Sequence, residues 1–301
     1  MNVLLLFLDG VGIGKANPET NPFFQASLPT MQSLLGKELF SFKRKRISTK
    51  RAELVPANAT LGVAGLPQSG TGQTAIFTGV NASRMINRHF GPYPTTDLRP
   101  VIYEKNIFRQ LKARNKSVVF ANAFPKQFFE YTESGTRRLT VTTLSCLMSD
   151  VPLLTADVLR ENKAISADIH RERWGEMGYP DILPISAETA GEQLAEICRN
   201  HDFTLFEYWL TDHAGHSRDM ARSVEVLERF DRFFGGLLGR IELHTTTVVL
   251  VSDHGNIEDL STKTHTRNSV PCLVLGPERE RYAASIRNLT HITPSILQLL
   301  G

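Results

Sequence analysis

With 301 residues, the chain is long enough for one sizeable α/β domain, or for a domain carrying an insertion. Hydrophobic residues at 41% and charged residues at 22% are ordinary for a globular protein, and a net charge of +3 is too small to argue for a nucleic-acid or membrane-surface partner, although it suits an anionic substrate. The three cysteines, Cys146, Cys198 and Cys272, lie far apart without a CxxC pair, which argues against cysteine-based zinc sites and fits free thiols in a reducing compartment.

In chain order, residues 3–8 form a short continuous apolar run stopped by Asp9-Gly10, the pattern of a buried strand. The opening lacks a basic n-region and a small-residue cleavage site, so it does not read as a signal peptide. No other apolar run is long enough to span a bilayer, and the cytoplasm is the expected location. The stretch from Asp9 to Lys15 superficially resembles a nucleotide-binding loop. It fails the Walker pattern because Ala16 follows Lys15, and it fails the dinucleotide fingerprint because Lys15 stands where the third glycine belongs. The basic run Lys43-Arg44-Lys45-Arg46, with Lys50 and Arg51, reads as a solvated strand or loop. Residues 66–79 read as a small-residue turn opening a helix.

Further strands are expected at Ser117–Ala121, Thr204–Leu210, Thr246–Val251 and Pro271–Leu275, with helices at Ile107–Ala113, Glu188–Cys198 and Met220–Leu238. Strands alternating with helices predict an α/β fold built on a parallel sheet with helices on both faces. Residues 122–184 show weak periodicity and many charges, the pattern of a small inserted subdomain or cap within a single 1–301 unit.

In such sheets chemistry gathers at the carboxyl ends of the strands. Asp9, Asp212 and Asp253 each follow a strand, and two have histidines close behind, in Asp212-His213-Ala214-Gly215-His216 and Asp253-His254-Gly255-Asn256. His265 follows shortly. Any one such pair is as readily a structural hydrogen bond, but all of them at strand exits point to a metal site. Carboxylate with imidazole suits zinc, manganese or iron rather than calcium. In the turn at 66–79 a hydroxyl, Ser69 or Thr71, would lie at a helix N-terminus, where the dipole favours an incoming anion.

Five motifs occur in an order that resembles the alkaline phosphatase superfamily: Asp9-Gly10 after the first strand, Ser69-x-x-Gly72, Asp212-x-x-Gly215-His216, Asp253-His254-Gly255-Asn256, and His265-Thr266-x-x-Asn268-x-Val270-Pro271. The branch they look most like holds cofactor-independent phosphoglycerate mutase and phosphopentomutase, and the ending Ile292–Gly301 is similar to it as well. The resemblance implies a doubly wound, mostly parallel sheet and two divalent metal ions, manganese favoured and zinc the alternative. Asp212, His216 and His265 would hold one ion; Asp9, Asp253 and His254 would hold the other. Ser69, preferred over Thr71 for its spacing to Gly72, would bridge to the metals as nucleophile. The chain departs from the mutases at Gln73, where they typically carry histidine.

Paired metals roughly 4 Å apart suit in-line phosphoryl displacement on a small phosphorylated substrate. The family's mutases are longer, with a substantial cap that keeps water from the intermediate. The interval from Gly79 to Asp212 leaves little room for one, so hydrolysis of a phosphomonoester is favoured over a mutase reaction, with phosphodiesterase or nucleotide pyrophosphatase activity as a further alternative. The formylglycine motif of sulfatases does not fit Ser69–Gln73. A scaffold that kept its ligands after losing activity fits poorly with a retained nucleophile. Arg88 and His89, just after the nucleophile helix, are candidate contacts to the substrate's anionic end, and Lys126 is a weaker one. Oligomeric state is not legible in the sequence.

Overall fold

The computed structural model describes residues 1–36, 41, 46–135 and 138–301. Its frame is a seven-stranded mixed sheet of β1 (Asn2–Leu8), β2 (Ile47–Ser48), β3 (Ala52–Ala57), β4 (Val118–Phe120), β5 (Phe203–Tyr208), β6 (Thr246–Val251) and β7 (Val270–Leu275). The order across the sheet is β2-β3-β7-β6-β1-β5-β4. β1 lies parallel to β5 and β6, and β4 parallel to β5. On the other side β7 runs antiparallel to β6, β3 antiparallel to β7, and β2 antiparallel to β3.

The central strand explains the two-faced architecture. Side chains alternate along a strand, so Leu4, Leu6 and Leu8 enter one core layer while Val3, Leu5 and Phe7 enter the other. Both faces are apolar because both are covered. The first layer is closed by helices Ala187–Arg199 and Met220–Arg240, the second by helices Ser69–Thr78 and Ile292–Leu300 among others.

The two helices of the first layer cross closely enough to require glycine. A Cβ on Gly191 would stand 2.0 Å from the carbonyl oxygen of Phe233. Gly191→Ala must therefore push two helices apart, and about 3 kcal/mol of destabilisation is expected from such overpacking, read as a lower midpoint in urea unfolding.

The antiparallel strands position chemistry. Because β7 runs against β6, the segment before β7, which contains His265, meets the carboxyl ends of β1, β5 and β6. β3 runs in the same sense as β6 and leads from that end towards helix Ser69–Thr78. One edge of the sheet thus collects groups from five stretches of chain.

Within residues 122–184, helix Val141–Leu147 packs into the second core layer. Residues Ala123, Ala156, Leu159, Ala164, Trp174 and Ile182 form a small third cluster. Lys43, Arg44 and Lys45 of the basic run lie outside the described residues, while Arg46 pairs with Glu53 of β3 at 2.7 Å. The three cysteines are buried free thiols. Among the described residues no helix is long and apolar enough to cross a membrane.

Candidate metal centre

Asp212 and His216 belong to helix Leu210–Ser217, which begins where β5 was expected to continue through Trp209 and Leu210. The helix sets them one turn apart on one face, with His216 Nε2 3.3 Å from Asp212 Oδ2. His265 Nε2 lies 3.6 Å from Asp212 Oδ1 and 3.2 Å from His216 Nε2. Asp212, His216 and His265 therefore bring three ligand atoms together.

The other ring nitrogens explain the aim. His265 Nδ1 sits 2.8 Å from the Pro67 carbonyl and His216 Nδ1 3.1 Å from the Lys263 carbonyl. Donation from Nδ1–H to a carbonyl leaves the Nε2 lone pair facing the cluster, the arrangement common to metal-binding histidines.

A second group gathers Asp9, Asp212 and His254. His254 Nε2 stands 3.3 Å from Asp9 Oδ1, 3.5 Å from Asp253 Oδ2 and 2.9 Å from Ser69 Oγ. Asp253 Oδ1 is taken by the N–H groups of Gly10, at 3.3 Å, and His254, at 3.0 Å, which leaves Oδ2 facing the site. Asp212 thus reaches both groups, its Oδ1 lying 4.0 Å from His254 Nδ1. The rings of His254 and His265 stack at 3.7 Å.

The residues fit a cation on two counts. Asp9 Oδ1 and His254 Nδ1 are buried with no hydrogen-bond partner, an arrangement that costs free energy unless another group completes it. The charges are also out of balance. Burial first, and then the Asp253 charge, hold Asp9 well above the usual carboxylate range, and burial raises Asp253 likewise. Asp212 stays depressed despite burial because His216 hydrogen-bonds it and His254 lies close. Burial alone would lower His254, but Asp253, Asp9 and Asp212 push it up to about 10. Burial and then His254 push His265 down to about 4. Three carboxylates crowded in low dielectric call for positive charge, which protons or divalent metals supply.

Ser69 is the first residue of helix Ser69–Thr78. Thr71, the other hydroxyl of the turn, donates to the Gln68 carbonyl at 3.1 Å and accepts from Phe90 N–H at 3.2 Å, so it is tied into the loop. Gln73 points its amide at Asp9 Oδ2, 3.4 Å away, and Asp253 Oδ2, 3.5 Å away. Arg88 is exposed, with its guanidinium 5.3 Å from the Phe90 ring centre. His89 is engaged between Ser83 Oγ at 3.1 Å and the Val63 carbonyl at 3.3 Å. Lys126 is exposed and pairs with Glu130.

Three buried polar residues around the site had no role assigned to them from the sequence, although Asn256 ends the Asp253–Asn256 motif. Asn256 donates to Asp212 Oδ1 at 2.7 Å and to its carbonyl at 3.1 Å. Glu207, an acid inside a fully buried strand, accepts from Thr142 Oγ1 at 2.7 Å, and burial pushes it up to about 7. The unusual placement of an acid in the run Phe203–Tyr208 was the available signal. Glu258 accepts from Gly12 N–H, Asn256 N–H, Thr266 Oγ1 and Asn268 Nδ2, tying the loop after β1 to both ends of the β6–β7 connection. A Cβ on Gly255 would lie 2.2 Å from Glu258 Oε1, so the turn after His254 needs its glycine. Glu258→Ala strands four donors at once, and a loss of about 3 kcal/mol in unfolding free energy is expected, measured by denaturant titration.

Residues 180–301 match the family model described as Metalloenzyme superfamily. The 2,3-bisphosphoglycerate-independent phosphoglycerate mutase of Methylobacillus flagellatus is 27% identical over 131 residues, covering 40% of this chain and 25% of the mutase. That of Synechococcus elongatus is 32% identical over 115 residues, covering 34% and 22%. The matched stretch is thus about a quarter of the length of these curated relatives. Among solved structures, the PH0037 protein from Pyrococcus horikoshii superposes with a TM-score of 0.60 at 15% identity, covering 99% of this chain and 96% of that one. Alkaline phosphatase from the Antarctic bacterium TAB5 gives 0.55 at 14%, covering 99% and 98%. At such identities the likeness speaks for the fold. Residues 180–301 thus resemble the metalloenzyme superfamily, part of the chain is similar in sequence to phosphoglycerate mutases, and the whole chain shares its fold with alkaline phosphatase.

Proposed function

We propose that this protein is a metal-dependent phosphomonoesterase working through a phosphoseryl intermediate on Ser69. The observation that carries the reading is Ser69 Oγ, at a helix N-terminus and 2.9 Å from His254 Nε2, beside the carboxylates of Asp9 and Asp253. Two divalent cations, manganese favoured, would be held by Asp212, His216 and His265 and by Asp9, Asp253 and His254, lowering the Ser69 hydroxyl pKa and offsetting phosphoryl charge.

The residues do the rest. The N-terminal dipole of helix Ser69–Thr78 favours the phosphate dianion. Ser69 Oγ attacks phosphorus in line, the alcohol departs with a proton, and water then takes the phosphoryl group from Ser69. The sum is monoester plus water to alcohol plus inorganic phosphate. Asn256 and the carbonyls of Pro67 and Lys263 hold Asp212, His265 and His216 in register for this.

Hydrolysis is favoured over return of the phosphoryl group to the substrate. A cavity of about 640 Å³ reaches Asp9 and gives water a route to the site. Gln73 also occupies the position of the mutase histidine, where it serves the carboxylates as an amide donor. We read the small cluster around Trp174 as a modest cap within a single 1–301 unit. Arg88 stays the candidate anion contact on the loop after the nucleophile helix, since His89 is already engaged. The mutase reading keeps one support, the names of the curated relatives. A screen of monoesters, diesters, sugar phosphates and phosphoglycerates with added manganese or zinc tests the choice. Release of inorganic phosphate from monoesters is expected; an isomerised phosphate ester without release overturns it in favour of a mutase.

A further inference from the structure

The cavity beside Asp9 lies between residues 120–177 and 207–229. Its volume of about 640 Å³ is that of a small-molecule site, commonly about 300–1,000 Å³. One wall is an aromatic stack: Phe120 and Phe124 are 5.8 Å apart, and Phe124 and Phe128 are 4.4 Å apart at 29°. Trp209 and Met177 contribute further apolar surface. Phe128, on helix Lys126–Glu133, is partly buried against the second core layer and also lines the cavity.

The polar groups of the wall are largely spent on one another. Both amide atoms of Asn122 bond the main chain of Glu207, at 2.8 and 2.9 Å. Arg222 reaches His213 Nδ1 at 2.7 Å, and the two terminal nitrogens of Arg229 go to Glu225 Oε1 and the Asp168 carbonyl. Arg173 is exposed, where water weakens any charge pairing. Arg229 Nε is the buried donor of this wall that stays without a partner, so a polyhydroxy or carboxylate-bearing group entering here would leave its own hydration for few free partners. An apolar group would gain by burial.

We infer that this cavity takes the alcohol moiety of the substrate, and that the substrate class is phosphomonoesters of apolar aryl or alkyl alcohols rather than phosphoglycerates or sugar phosphates. The inference rests on the phosphomonoesterase reading for the position of the phosphate, with the phosphoryl group at Ser69 and the carbon skeleton running past Asp9, the residue the site shares with the cavity, towards Phe128 and Trp209.

The test uses the metal-loaded protein and n-alkylphosphonates from ethyl to hexyl, which bind without being hydrolysed. Titration calorimetry is expected to show Kd falling about threefold per added methylene, with a smaller increment in Trp209→Ala, a residue 37% exposed, whose unfolding midpoint is checked against the parent's. The same proteins are then assayed with the matching alkyl phosphates, whose leaving groups are chemically alike. Chain-length dependence in binding without any phosphate release supports the cavity inference and sinks the phosphomonoesterase reading. Phosphate release with affinity indifferent to chain length, or with 3-phosphoglycerate binding more tightly than hexylphosphonate, overturns the inference alone. Failure of every phosphonate to bind overturns it as well.

Discussion

Ser69→Ala is expected to lower metal-dependent phosphate release by ~10³-fold or more, while metal content and unfolding midpoint stay near those of the parent. The hydroxyl supplies the attacking oxygen, and no other group takes its place. Thr71, two residues on, has its hydroxyl held by Gln68 and Phe90 and faces the loop. The change removes one atom from a side chain that is 7% exposed and whose hydrogen bond is to His254, so the fold loses little. Thr71→Ala is the control: it should perturb the loop carrying Phe90 and cost far less in turnover than the change at Ser69.

Removing divalent cations should have the largest effect on stability. Ligand binding to the native state stabilises it by RT ln(1 + [L]/Kd), about 4 kcal/mol per site at a thousandfold excess over Kd. For a chain of this length two sites amount to a Tm lowered by roughly 10 °C on chelation. The physical cause is the uncompensated cluster of Asp9, Asp212 and Asp253, of which Asp9 and Asp253 are held above the carboxylate range when protons alone must neutralise them. Asp212 is the residue to change, because its carboxylate approaches His216, His265 and His254 alike. Asp212→Asn should reduce bound metal at both positions, whereas His216→Ala should spare the position near Asp9. Metal analysis of the two variants after dialysis distinguishes them.

The parts of the fold that the sequence disclosed were those with one dominant signal. β1, β4, β5, β6 and β7 are short, largely apolar runs, legible because a strand covered on both faces has few polar positions to interrupt it. β3 was invisible for the opposite reason: Ala52–Ala57 contains Glu53 and Pro56, and its place in the sheet comes from pairing with β7. The antiparallel sense of β7 had no hairpin turn to announce it, since residues 252–269 separate β6 from β7. The end of β5 was misplaced because Trp209 and Leu210 extend its apolar run although the chain has already entered a helix.

The candidate metal cluster was legible for a chemical reason: aspartates at strand exits, with histidines nearby, are scarce in ordinary loops. What held those side chains in place was not legible. Glu258 binds groups from Gly12, Thr266 and Asn268, partners that only folding brings together. Glu207 stands five residues before Asp212, and its buried carboxylate is met by Thr142, far off in sequence. The aromatic wall beside Asp9 mixes Phe124 and Phe128 with Trp209, which no local pattern could have joined.

The central claim is a covalent phosphoryl group on Ser69 during turnover. Metal-loaded protein mixed with excess phosphomonoester and quenched in acid within a turnover should yield, by peptide mass spectrometry, a phosphorylated peptide whose modified residue is Ser69. Steady release of inorganic phosphate with that peptide unmodified, or with phosphate on another side chain, would contradict the account.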